Sequence, residues 1–217
     1  MYMPNSIKGR KSLNTILYFF MFIIGTVLGS FYTLAVYRIP LKQDITHTRS
    51  YCPKCNHKLN FWDLIPVLSY IFLGGKCRYC KNKIRPRYII LELSSGLAFL
   101  LYTIILKIDL LNLEPKKVSA LIFGVLFFST IFITAGIFKE YKKVHKSVFN
   151  FGLIVEGIYM VYLYILNTSI YRYIIYTIIL IAMALINNSK KTNERIRTIL
   201  FIIFMIIGIL EIGLILL

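Results

Sequence analysis

The residues best suited to chemistry are four cysteines, the only ones in the chain. Cys52 and Cys55 form one Cys-x-x-Cys pair, Cys77 and Cys80 another, with 21 residues between the pairs. A two-residue spacing lets two thiolates turn onto one ion, and four sulfurs complete a closed tetrahedral shell with no open position. The gap slightly exceeds the commonest spacing for such pairs, but a folded loop spans it easily. Lys54, Lys58, Lys76, Arg78, Lys81 and Lys83 stand close by, and positive surroundings favour the thiolate. Structural zinc is the favoured reading; disulfides, redox dithiols and free thiols are the alternatives. His57 is a surface histidine or a replacement ligand. A loop of this size buries little core, so metal binding would supply its folding energy.

Carboxylates are scarce, with nine Asp and Glu against 26 Lys and Arg. Beyond position 115 there are only Glu140, Glu156, Glu194 and Glu211. Glu140 and Glu194 read as solvated loop charges, or as a makeshift carboxylate pair. Glu156 falls within LIVEGIY, inside an apolar run, where an acid is costly and often functional. The plainer expectation is a neutral carboxyl bonded to a neighbouring helix; a substrate or proton role is the other. Glu211 lies nearer a terminus and is expected to reach the interface.

These residues sit in a chain that is 58% hydrophobic, with a mean hydropathy of +0.70 and a net charge of +17. Soluble domains are about 45–50% apolar. Apolar runs that reach or approach the ~20 residues of a bilayer crossing fall at about 13–37, 88–106, 118–138, 147–166, 170–187 and 198–217. They are continuous and rich in Ile and Leu, which selects helices over a barrel. The expected fold is an all-α integral membrane protein of about six transmembrane helices. Its divisions are 1–37 (tail and first span), 38–87 (the four-Cys loop) and 88–217 (a helical membrane domain). The fourth and fifth spans, joined by a short turn, should form an antiparallel hairpin. The first run follows KGRK but is long and has no A-x-A-like cleavage site, so it reads as a retained span. No Gly/Ser linker, low-complexity tract or 20–50-residue period is evident.

The basic residues lie between the spans: 19 in the loops on one side and 7 on the other. That excess places the cysteine loop in the cytoplasm, against the pull of the basic N-terminus. Reduced thiols there weigh against disulfides. The charge matches contact with anionic lipid of the bilayer. Nucleic acid is not an expected partner, because the aromatics fall within spans and not among the charges. Between the cysteine pairs, FWDLIPVLSYIFLGG (61–75) is too short to cross. Trp62 and Tyr70 suit the headgroup layer, and Pro66 argues against one straight helix unless it stands in the first turn. The segment should lie along the membrane surface, with the knuckle closing its ends.

GSFYTLAVYRIP (29–40), the four-Cys loop and RPRYIILELSSG (85–96) together resemble the prepilin peptidase, or type IV leader peptidase, family over about residues 26–100. Gly29, Ser30, Phe31, Tyr37, Arg38 and Pro40 carry the likeness first. Asp63, Ile65, Pro66, Ser69 and Tyr70 then follow a D-x-I-P-x-x-S-Y pattern. Arg78, Tyr79, Arg87, Tyr88, Glu92 and Gly96 continue it. The resemblance implies an integral membrane aspartic endopeptidase that removes leaders from type IV prepilins and pseudopilins. It also implies, in many members, N-methylation of the new terminus with S-adenosylmethionine, and zinc at the loop. Glu92, in the matching LELSSG, is the candidate cofactor contact; pairing with Arg85 or Arg87 is its plainer role.

The peptidase half of that family uses two aspartates, and an aspartic protease needs two carboxyls sharing one proton. Aligned on apolar positions, Phe138 stands at the first aspartate, with His145 and Lys146 at the proline and its neighbour. Asn188 stands at the second, without the glycines. Asn cannot ionise, so it is no general base. Two functions are therefore expected. One is a divergent prepilin peptidase or amine methyltransferase. The other is a non-catalytic, zinc-clamped scaffold that binds prepilin-like helices or assembly partners, and residue chemistry favours it.

Overall fold

The computed structural model describes residues 4–166 and 170–216, with side chains described for 13–166 and 171–212. It is helical, and among the described residues no β-strand forms beyond isolated bridges. Seven helices follow in order: α1 (Pro4–Arg38), α2 (Leu68–Phe72), α3 (Arg87–Ile105), α4 (Pro115–Tyr141), α5 (Lys146–Ile165), α6 (Ile170–Asn188) and α7 (Glu194–Leu216). Among the described residues, five are long and apolar enough to cross a membrane: α1 from Leu13, α3, α4, α5 and α6 from Tyr171. Of the sixth expected run, 198–217, residues 198–216 lie within α7, and residue 217 and the side chains from 213 onward are outside the described residues. The chain divides into two compact units, Met1–Glu114 and Pro115–Leu217.

In the first unit, α1 and α3 pack at very close range. Gly25 and Gly29 stand four apart on one face of α1. A β-carbon at Gly25 would lie 2.8 Å from the Gly96 Cα, and one at Gly29 would lie 2.7 Å from the Glu92 Cα. Small residues at this spacing let helix backbones approach in lipid, where apolar burial supplies no drive between helices. The run GTVLG is visible in the sequence, but its partner face on α3 is not. The cysteine loop emerges between the ends of this pair. Within it, Phe61–Asp63 form one 3-10 turn and Leu68–Phe72 the short α2, with Pro66 between them. The expectation that Pro66 forbids a single straight helix therefore holds.

In the second unit, α5 packs against α6 and α4. Phe127, Phe149, Phe201 and Phe204 form its aromatic centre, with ring centroids 5.3–5.9 Å apart. Glu156 is buried there, and its Oε1 has no hydrogen-bond partner among the described residues. Glu211 is buried at 1% exposure, and both its carboxyl oxygens lack a hydrogen-bond partner among the described residues.

Gly29→Val should destabilise the first unit by about 1–3 kcal/mol through overpacking. Gly157→Ala, where nothing lies within 4 Å of an added β-carbon, should change little. Monodispersity in detergent after graded heating distinguishes the two.

Candidate functional site

The four cysteines converge. Their sulfurs all lie within 4.8 Å of one another, and Cys52 Sγ is 3.9 Å from Cys80 Sγ. No disulfide joins them. Sulfurs held ~2.3 Å from one tetrahedral ion stand close to this spacing, so the set fits a single metal. Cys52 and Cys77 face inward, while Cys55 and Cys80 are exposed.

The same turn builds both halves. The Cys52 N–H bonds to the His57 carbonyl and the Asn56 N–H returns to the Cys52 carbonyl. The Cys77 N–H bonds to the Asn82 carbonyl and the Lys81 N–H returns to the Cys77 carbonyl. Asn56 and Lys81 both take positive φ, 55° and 57°. Bridges Tyr51–Lys58 and Lys76–Lys83 close the two turns alike. YCPKCNHK and KCRYCKNK are thus an internal structural repeat, where the sequence shows no period. The shared signal is only the cysteines and a lysine, because the turn is made by backbone hydrogen bonds.

The first turn aims N–H groups at sulfur. Burial raises the Cys52 thiol, but the N–H groups of Cys55 and Lys54 outweigh it and hold it at about 7. The His57 N–H pulls the Cys55 thiol down. Desolvation and the sulfurs of Cys52 and Cys80 overcome that pull and push it up to about 11. Clustered thiols resist joint ionisation without a cation among them.

Asp63 ties the segment between the pairs to the second knuckle. Its side chain is only 3% exposed, and Oδ1 lies 2.6 Å from Arg78 Nε. Its Oδ2 accepts from the Asn60 N–H at 3.1 Å and from the Tyr79 hydroxyl at 3.2 Å. Burial raises the carboxyl, and the Arg78, Asn60 and Tyr79 bonds reverse this and hold it below the usual range. His57 stacks on Tyr79 with ring centroids 3.6 Å apart. Tyr70 turns toward the loop. Its hydroxyl reaches the Ile84 carbonyl at 3.5 Å, and its ring fills the space where a β-carbon on Gly75 would lie.

Two buried polar side chains anchor the loop to the helices. Arg38, ending α1, is 3% exposed. Its Nη1 donates to the carbonyls of Asp44 at 2.8 Å and Thr48 at 2.9 Å. Glu92 is also buried, and its Oε2 accepts the Val67 N–H at 2.7 Å. The Ser30 side chain also hydrogen-bonds to this carboxyl. Val67 has φ 62°, a conformation a β-branched residue rarely adopts. The residue expected to contact a cofactor thus holds down the loop.

In the second unit, Phe138 lies beneath the Lys142 ammonium, 5.9 Å from its ring centre. Asn188 belongs to an amide chain: its Oδ1 accepts from Asn150 Nδ2 at 3.0 Å, and Asn150 Oδ1 accepts from Asn187 Nδ2 at 2.7 Å. Arg197 Nε donates to Asn187 Oδ1 at 3.2 Å, while its Nη1 pairs with Glu194 at 2.9 Å. Glu140 is exposed on the last turn of α4. His145 precedes α5, and burial together with Arg197 pushes its pKa down, keeping the ring neutral. Asn150, Asn187 and Arg197 were not singled out from sequence, since they join only when three helix ends meet.

Replacing Asp63 by Ala should cost the loop about 1.5–3 kcal/mol, the loss of hydrogen bonds to a charged group. The sign with pH follows from the depressed carboxyl. Its contribution is complete above about pH 4, the unfolded value. It is lost as pH falls through the lower folded value. Acid-induced exposure of the loop, read by proteolysis, should begin at higher pH in the variant.

Residues 23–106 match the family model of the Bacterial Peptidase A24 N-terminal domain. The chain is 45% identical over 80 residues to the Prepilin leader peptidase/N-methyltransferase of Vibrio cholerae, covering 33% of this chain and 32% of that protein. It is 44% identical over 79 residues to the protein of the same name from Bacillus subtilis, covering 36% and 32%. It is 42% identical over 80 residues to that of Myxococcus xanthus, covering 37% and 24%. The matches thus span about a third or less of these relatives' length. No solved structure matches the chain. The resemblance carried by Gly29 to Gly96 is borne out, and the segment that builds the cysteine cluster and the Glu92 anchor is similar to the N-terminal domain of bacterial A24 peptidases.

Proposed function

We propose that this chain is a prepilin peptidase-like membrane protein that receives prepilin-like signal helices and does not cleave them. The observation that carries the reading is Asn188. The resemblance sets it against the family's second aspartate, and its side-chain oxygen accepts a hydrogen bond from Asn150 in an amide network. Neither it nor Phe138 can hold or share a proton, which the peptidase reaction requires. Glu194, the nearest acid to that network, is paired with Arg197.

Zinc is the proposed occupant of the four-cysteine site. Four thiolates close its shell, so it supplies folding energy and leaves no position for substrate. The excess of Lys and Arg supports a cytoplasmic loop. Purified from the membrane, the chain should carry about one zinc, and Cys52→Ser should lose nearly all of it by elemental analysis. Sulfurs recovered as disulfides would reject both the metal and the cytoplasmic placement.

A second reading, methyl transfer from S-adenosylmethionine, is supported by the relatives' name and by the match over the N-terminal unit. The chain reconstituted with a model prepilin and labelled S-adenosylmethionine tests both, with mass spectrometry as readout. The expected result is bound, intact and unmethylated prepilin. Leader removal that disappears in Glu194→Gln or Glu140→Gln would overturn the non-catalytic reading. Label on a pre-cleaved terminus would establish the methyltransferase.

A further inference from the structure

The segment between the knuckles carries an apolar surface that nothing in the first unit covers. Phe61 and Trp62 on the 3-10 turn are 74% and 69% exposed, and Phe72 is 82% exposed. Leu68, Ile71 and Phe72 stand at i, i+3 and i+4 of α2, which puts them on one side of that turn. Tyr70 faces the opposite way, into the loop. Exposed Lys58 and Lys76 sit at the two ends of the segment, with Lys54 and Lys83 beyond them. The loop's only acids are Asp44 and Asp63, and Asp63 is buried against Arg78. The outer surface is therefore aromatic in the middle and cationic at its margins.

Glu92 fixes the height of this surface. It lies five residues into α3, about 7–8 Å along the axis at ~1.5 Å per residue. The candidate span begins at Arg87, so Glu92 is already within it. Its bond to the Val67 N–H holds the middle of the segment beside the span, not out in the loop. At the same level, next to Gly29 and Glu92, α1 and α3 expose Phe31 and Ile90. We infer that residues 61–72 insert into the headgroup–acyl boundary of an anionic leaflet, with the Glu92–Val67 hydrogen bond setting their depth and the flanking lysines on lipid phosphates. Amphipathic elements with aromatic and basic margins bury their apolar side about 5–10 Å into that boundary. The inference does not depend on catalysis.

Trp62 is the chain's only tryptophan, so its fluorescence reports this surface alone. The whole protein is reconstituted in phosphatidylcholine vesicles, with and without phosphatidylglycerol. Quenching is measured with lipids brominated near the headgroup end of the acyl chain, with lipids brominated near its tip, and with aqueous acrylamide. The expected result is strong quenching by the shallow bromine, weaker quenching by the deep one, and acrylamide access severalfold below that of the denatured chain. Glu92→Ala should lose the shallow quenching at unchanged metal content, and Glu92→Gln, which keeps an acceptor oxygen, should retain it. Lys58→Glu with Lys76→Glu should abolish any gain from phosphatidylglycerol. Full acrylamide access without bromolipid quenching in the unaltered protein would overturn the proposal. So would bromolipid quenching displaced by an apolar signal-helix peptide, which would assign the surface to a protein partner. Equal quenching in Glu92→Ala would refute the depth-setting role.

Discussion

Gly29 has no room for a β-carbon, because the Glu92 Cα already stands where one would reach. Much of the first unit follows from that approach. Helices in lipid gain little from burying apolar surface, so they hold together where small residues let backbones touch. Here the contact also brings a carboxylate on α3 beneath the loop that leaves α1. Glu92 gives a carboxyl oxygen to a backbone N–H, and Val67 is held in a conformation that a β-branched residue otherwise avoids. Helix packing, loop placement and the exposure of Phe61, Trp62 and Phe72 are consequences of one tight crossing.

The cysteine cluster solves a different problem. Four sulfurs at van der Waals range repel one another once ionised, and the opposed shifts of Cys52 and Cys55 express that conflict. A divalent cation would resolve it, and the first turn holds its N–H groups ready at the sulfurs of Cys52 and Cys55. Asp63 connects this centre to the membrane-facing segment through Arg78, Asn60 and Tyr79. The metal site and the aromatic surface therefore form one folded piece.

In the second unit, amides join the ends of three helices. Asn150, Asn187 and Asn188 satisfy one another and engage Arg197, which in turn holds Glu194. Amides bond equally well in either direction and need no shared proton, so the network is stable at neutral pH and inert as an acid–base pair.

The apolar runs, their helical character and the four-cysteine set are legible in the sequence, because each is a local pattern: a length, a composition or a spacing of two residues. The likeness around Asp63, Pro66 and Glu92 is legible too, but only as a list of residues without roles. Tertiary structure alone decided those roles. Glu92 meets Val67 across 25 residues and Asn150 meets Asn188 across 38. The inward turn of Tyr70, the full burial of Glu211 and the repeat of the two knuckles likewise depend on where distant backbone comes to rest. No local pattern encodes such meetings, since the chain's periodicity says which face a residue takes and not what that face will touch.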